Sequence, residues 1–124
     1  MDRLEWVRRH YAESAVALDP DAFVEGLGKN VRMSRGAAVI VGRDEIRDAV
    51  ERMRAAGLLA IRHDVSGLWE PEPGVVIAEA TVTYQYETEV TPAAPVVSVF
   101  RWEADEVVDL RVYMDSVRGP QGTA

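Results

Sequence analysis

The sequence predicts an α+β fold: three N-terminal helices packed on a curved, mainly antiparallel sheet that encloses a pocket. Three observations point there. Apolar residues recur at helical spacing through the first half of the 124-residue chain. After Gly57 the pattern changes to long alternating runs rich in Val, Ile, Thr and Tyr. Short turns join those runs, which pairs neighbours antiparallel. Helices first and strands later is the α+β order.

The elements follow in turn. Asp2 caps a first helix, with Glu5 in capping-box position, and Leu4, Val7, Tyr11, Ala15 and Leu18 mark its apolar face. Asp19-Pro20-Asp21 opens a second helix, a cap residue followed by proline at the first helical position. Its apolar stretch, with Phe23 and Val24, ends at Gly26 and Gly28. Residues 31–33 and 37–41 read as two short strands around Ser34-Arg35-Gly36, and Gly42 closes the second. Asp44 and Glu45 suit the first turn of a third helix, where the helix dipole favours negative charge. Ile46, Val50 and Met53 continue its apolar face, and Gly57 fits the C-terminal cap.

Strands follow over 61–70, 75–87, 96–103 and 107–117. In the first of these Ile61, His63, Val65 and Trp69 share a face. Pro71-Glu72-Pro73-Gly74 is a turn, and 92–95 is a connection. Residues 1–118 form one domain, and 119–124 read as a flexible tail.

Composition narrows the function. Nearly half the residues are apolar, enough for a core without staples. The chain has no cysteine, which rules out disulfides and thiolate metal sites. The net charge of −7 would be repelled by a phosphate backbone, so nucleic acid is not an expected partner. No run approaches membrane-spanning length and the N-terminus lacks an apolar signal core, so a cytoplasmic location is expected. Two histidines without HxxxH or HxH spacing make no zinc motif, and neither GxGxxG nor GxxxxGK[ST] is present. The expectation is therefore no metal and no cofactor. Carboxylate, imidazole and phenol remain, which suit proton transfer and carbonyl polarisation.

Candidate site residues come from the strands. In the last strand Asp109, Arg111, Tyr113 and Asp115 share one face, and Val108, Leu110, Val112 and Met114 the other. One reading buries the aliphatic set and leaves the polar set in water; the other turns the polar set into a cavity. His63 sits on an otherwise apolar face, either as a satisfied core histidine or as a pocket group suited to proton transfer. His10 reads as a surface or rim residue. In the long strand Ala78, Ala80, Val82, Tyr84 and Tyr86 share a face; small residues deep and tyrosines near the mouth would leave a void beneath the helices. Tyr11, Trp69, Tyr84 and Phe100 are core under the simplest reading and ligand-surrounding aromatics under the sharper one.

Four stretches carry a resemblance that spans nearly the whole chain. They are Arg9-His10-Tyr11 with Ala17-Leu18-Asp19, Val41-Gly42-Arg43-Asp44-Glu45-Ile46, residues 77–84, and Val99-Phe100-Arg101 with residues 110–115. In this order and spacing the chain resembles the nuclear transport factor 2-like superfamily, and within it the SnoaL-like domains. The resemblance implies a cone-shaped sheet with helices closing its wide side. It implies that Arg111, Tyr113 and Asp115 face into the cone. It also implies that Asp115 is the general acid or base of the related cyclases and limonene-type epoxide hydrolases. The epoxide hydrolases' Arg and Asp pair on the long strand is replaced by Ala80 and Val82. Tyr11 matches the first-helix tyrosine of the ketosteroid isomerases, whereas Val31 to Ser34 offers no carboxylate in place of their base.

The expected function is cofactor-independent acid/base catalysis of cyclase or isomerase type on a small apolar carbonyl compound. Asp115 would be the proton shuttle. His63, Tyr113 or Tyr84 would bond the enolate oxygen, and Arg111 would bias the charge. Tyr11, Trp69, Tyr84 and Phe100 would line the pocket. The alternatives are a non-catalytic binder of a hydrophobic metabolite, or an interaction domain. The resemblance also implies a homodimer formed through the outer sheet face.

Overall fold

The structure, a computed structural model, describes residues 1–114. Asp115, the rest of the predicted last strand and the tail lie outside the described residues.

Local rules set the helices where the pattern placed them. The Asp2 side chain accepts a hydrogen bond from the Glu5 backbone N–H at 3.0 Å and starts α1, Arg3–Arg9. The same rod runs on as a π-helical segment, His10–Ala15. Asp19 caps α2, Pro20–Val24, by accepting from the Asp21 N–H. α3, Arg43–Ala55, starts after Gly42, whose φ of 105° suits glycine, and buries Ile46 and Val50.

Six strands follow or intervene: β1 Leu27–Arg35, β2 Ala38–Val41, β3 Leu58–Glu72, β4 Val75–Tyr86, β5 Ala94–Glu103 and β6 Glu106–Met114. β1 begins four residues earlier than the sequence pattern suggested. Its start is drawn into the sheet by β6, where the Val107 N–H donates to the Gly26 carbonyl at 3.0 Å. The order across the sheet is β2-β1-β6-β5-β4-β3. All neighbours pair antiparallel except β1 and β6, which run parallel.

The sheet is curved and unclosed. Its curvature shows in one contact. Two strands separate β1 from β4, yet the Arg35 guanidinium on β1 lies 5.6 Å from the Tyr84 ring centroid on β4. In a flat sheet those strands would stand roughly 14 Å apart. The helices lie against the concave side. Val7 and Leu18 from the first half and Val76, Val82 and Phe100 from the sheet join one buried cluster. Full burial of a side chain such as Phe100 is worth about 2–3 kcal/mol.

Two β-bulges decide which side chains look inward. On β3, Val65 faces Ala80 and Gly67 faces Glu79, so Ser66 is an extra residue. From there the alternation reverses: Leu68 turns in opposite Ala78, and Trp69 turns out opposite Ile77. On β6, Val107 faces Trp102 and Asp109 faces Arg101, which leaves Val108 as the extra residue. Val107, Leu110, Val112 and Met114 therefore face the concave side, and Arg111 and Tyr113 the convex one.

Candidate functional site

Beneath the helices the concave face leaves a cavity of about 100 Å³. That is less than the ~150 Å³ of an engineered apolar cavity that takes up benzene, and about three times the volume of a liquid water molecule. Its walls are mostly apolar. Burial grades along it: His10, Tyr11, Phe23, Ser98 and Phe100 form a buried end, while Met53, Tyr84 and exposed Arg35 form a more open one.

Each polar group reaches the cavity for a local reason. Tyr11 and Ala15 fall four apart on the first helical rod, and Trp6 and His10 do likewise. The π-helical segment holds both His10 and Tyr11 toward the interior. His63 is two residues from Ile61 and from Val65 on β3, opposite Val82, on the inward side before the bulge. Ser98 lies between Val96 and Phe100 on β5, only 3% exposed.

Tyr11 and His63 stack, ring centroids 4.1 Å apart and planes 24° from parallel. His10 stacks on Trp6 at 5.1 Å and meets the Phe23 ring edge-on at 5.0 Å. Burial lowers the His63 pKa from 6.5 to about 4. It lowers that of His10 to about 4 as well, with repulsion between the two imidazoles adding to it. Both rings are thus neutral near pH 7. Burial pushes the Tyr11 phenol up to about 12, and its hydrogen bond with Ser98 acts the other way. Tyr84 is also raised, by burial first. At neutral pH the buried end of the cavity presents neutral donors and acceptors only. One of them is unspent: His63 Nδ1 is buried with no hydrogen-bond partner.

Four of the sequence-predicted residues meet here: Tyr11, His63, Tyr84 and Phe100 all line the cavity. Three do not: a bulge turns Trp69 away, and the unbroken alternation from Asp109 to Met114 keeps Arg111 and Tyr113 on the outer face, as the simpler reading of the last strand had it. Trp69 is 51% exposed on the convex face, because the extra residue Ser66 turns it away from the side shared by Ile61 and His63. Tyr113 is 56% exposed and Arg111 is exposed beside it, hydrogen-bonded to Asp109 at 3.0 Å. The face that was expected to look into the cone looks out, and the aliphatic set Leu110, Val112 and Met114 lines the cavity. Asp115 lies outside the described residues.

Sequence reasoning missed His10, Ser98 and Arg35 as wall residues. His10 is 6% exposed, not at the rim. Its spacing four residues after buried Trp6 was the available signal. Ser98 alternates with Val96 and Phe100, the same signal for a strand. Arg35 had none, since only the sheet's curvature brings it over Tyr84. Among the described residues no group of three or more His, Asp or Glu is placed to hold a metal ion, and no helix is long and apolar enough to cross a membrane.

Comparison with known proteins adds a family and a fold. The family model for the SnoaL-like domain matches residues 7–110. No curated protein sequence matches the chain. Solved structures share the architecture at low identity. An LEH-like epoxide hydrolase from M. tuberculosis superimposes with a TM-score of 0.78 and 17% identity, over 90% of this chain and 81% of that one. A hypothetical protein with a ketosteroid isomerase-like fold from Catenulispora acidiphila, in complex with trimethylamine, gives 0.73 and 16%, over 86% and 83%. A candidate SnoaL-like polyketide cyclase from Shewanella denitrificans gives 0.76 and 11%, over 93% and 92%. At these identities the likeness establishes the fold alone.

Proposed function

This chain belongs to the SnoaL-like domain family, and on that premise we propose that its cavity binds a small carbonyl compound and promotes loss of a proton next to the carbonyl. The observation that carries this reading is the apolar cavity walled by the Tyr11–His63 stack, together with a buried His63 Nδ1 that no group among the described residues satisfies. Leaving a buried polar atom unsatisfied costs about 1–3 kcal/mol. A void of this size costs about 2 kcal/mol more. A ligand with apolar atoms in the void removes the second penalty, and it removes the first when the imidazole turns a nitrogen toward the ligand's polar atom.

The chemistry follows from the protonation states. A neutral imidazole with its proton on Nδ1 donates to the ligand's carbonyl oxygen, and in an apolar cavity that bond strengthens as enolate charge develops. The tyrosine hydroxyls stay protonated but are already engaged, Tyr84 donating to the Met114 Sδ at 3.8 Å and Tyr11 bonded with Ser98, so the imidazole is the donor left for the ligand. An imidazole with a pKa near 4 is a poor base at pH 7, so the proton needs a carboxylate. The described residues that line the cavity include no carboxylate; the role is assigned to Asp115 on the family resemblance alone, independently of the β6 face whose Arg111 and Tyr113 look outward. The epoxide hydrolase and polyketide cyclase among the structural relatives support a small-molecule chemistry of this kind by analogy. The competing reading is a binder of the same ligand with no reaction.

The test uses cyclopentanone in D2O. Binding is followed by chemical-shift changes in the protein, and exchange of the ketone's α-protons by loss of their proton signal. We expect binding at millimolar concentration or tighter, and exchange above the buffer rate. Asp115→Asn should lower exchange at least 100-fold with affinity within threefold. His63→Phe should weaken binding at least tenfold. Binding with no exchange in the wild-type protein leaves the non-catalytic binder. No binding rejects the cavity as the site.

A further inference from the structure

We infer that the natural ligand is a short oxo acid, whose carboxylate is held by Arg35 at the mouth while its uncharged end fills the cavity. This rests on the cavity being the ligand site, and adds the charge of the ligand and the residue that selects it.

Among the described residues that line the cavity, Arg35 is the only one charged at neutral pH. It sits at the end of β1, opposite Val112 of β6, on the more open side. The Tyr84 ring supports its guanidinium from below at 5.6 Å, an arrangement that orders the group without using any of its N–H donors. Arg35 forms no ion pair with a carboxylate among the described residues; several other arginines share this, but of them only Arg35 lines the cavity. A planar guanidinium fixed in this way offers two parallel donors, which match a carboxylate.

The interior argues for the other half of the ligand. Tyr11, Ser98 and His63 offer neutral partners, and the remaining surface is aliphatic or aromatic. An ionised group would lose its water there and gain no counter-charge. The cavity also holds only a few heavy atoms. A four- to five-atom oxo-alkyl segment inside, ending in a carboxylate outside, satisfies both ends. The protein as a whole carries −7 and would repel anions, so a cation at the mouth discriminates locally against that background.

The experiment compares isosteric pairs: 4-oxopentanoate with 4-oxopentanamide, and 5-oxohexanoate with 5-oxohexanamide. Affinities are measured by NMR titration at pH 7. In at least one pair the acid should bind ten times more tightly than the amide, and that ratio should shrink in 0.5 M NaCl. Arg35→Gln should bring the ratio to within twofold of unity, chiefly by weakening the acid. Arg35→Lys should keep part of the preference. Equal binding of acid and amide to the wild-type protein overturns the inference and leaves the cavity reading standing. So does a preference that survives Arg35→Gln. If neither acid nor amide binds, both readings fall. Thermal unfolding of each variant shows that its fold is retained.

Discussion

Two neutral imidazoles in one apolar wall tie the site to the stability of the chain. In an unfolded chain His10 and His63 have pKa values near 6.5, and in the folded one about 4. Between those values the unfolded state holds more protons, so stability rises with pH and is lost as pH falls from about 6.5 towards 4. Each ring contributes about 2 kcal/mol of loss between pH 7 and pH 5, a range above most carboxylate titration. Urea denaturation should therefore show the wild-type protein losing about 4 kcal/mol over that interval, and His63→Phe about half as much. An unchanged pH slope in the variant would mean that His63 is protonated freely in the folded state. The residue was legible in the sequence: a histidine between Ile61 and Val65 on an alternating strand points inward. Its state was not, because the stacking on Tyr11 and the missing partner at Nδ1 join residues about 50 positions apart. His10 was misplaced for a related reason. An imidazole beside arginines on a helix looks solvent-facing until Trp6, Phe23 and Phe100 are seen to enclose it.

At the level of elements, glycines mark where the backbone, not the pattern, sets the structure. Gly26 has a φ of +86°, and a Cβ there would meet the Trp6 indole nitrogen at 2.6 Å. Its carbonyl also receives Val107 of β6, so this residue joins α2, α1 and the parallel strand pair. Gly26→Ala should cost about 2–4 kcal/mol, combining left-handed strain with a clash. Gly36 has a φ of +58° with nothing within 4 Å, so Gly36→Ala should cost only about 1 kcal/mol. Thermal unfolding of the two variants measures the contrast, and equal losses would remove the Trp6 contact from the explanation. Bulges are the harder signal. Gly67 hinted at one, since glycine inside a strand often marks a bulge or a close approach, and here the Trp69 ring lies over it. The doublet Val107-Val108 carried no such mark, because both residues suit either face. One unseen residue on β3 was enough to exchange the face assigned to Trp69, whereas Arg111 and Tyr113 keep the alternation read from the sequence and were turned inward only by the resemblance.

For the molecule as a whole, the order of helices and strands was readable because each has a local period or cap; the sheet's closure was not. The parallel pairing of β1 with β6 joins residues about 80 positions apart and leaves no local trace. It is also what curves Arg35 over Tyr84 and shapes the cavity mouth. The outward turn of Trp69 and Tyr113 gives the convex face a new character. Trp69, Ile77 and Val99 form one cross-strand row ending at Arg111, and Val97 and Tyr113 lie in the row beside it. Strands β3 to β6 present there a face of roughly 600 Å², near the ~800 Å² per partner of a standard interface. Two exposed aromatics on one sheet face are more than single scattered apolar residues, and aromatics are the commonest anchors of protein contacts. The family resemblance leads to the expectation of a pair of identical chains, and this face is where we propose that they meet. Sedimentation equilibrium should then give twice the chain mass at micromolar concentration. Tyr113→Asp should raise the dissociation constant at least 100-fold, because it buries an unpaired charge at the centre of the contact. Since Tyr113 lies on the side of β6 away from the cavity, that variant should still bind cyclopentanone with unchanged affinity. A wild-type protein that sediments as a monomer at 100 μM would leave the convex face without a partner of its own kind.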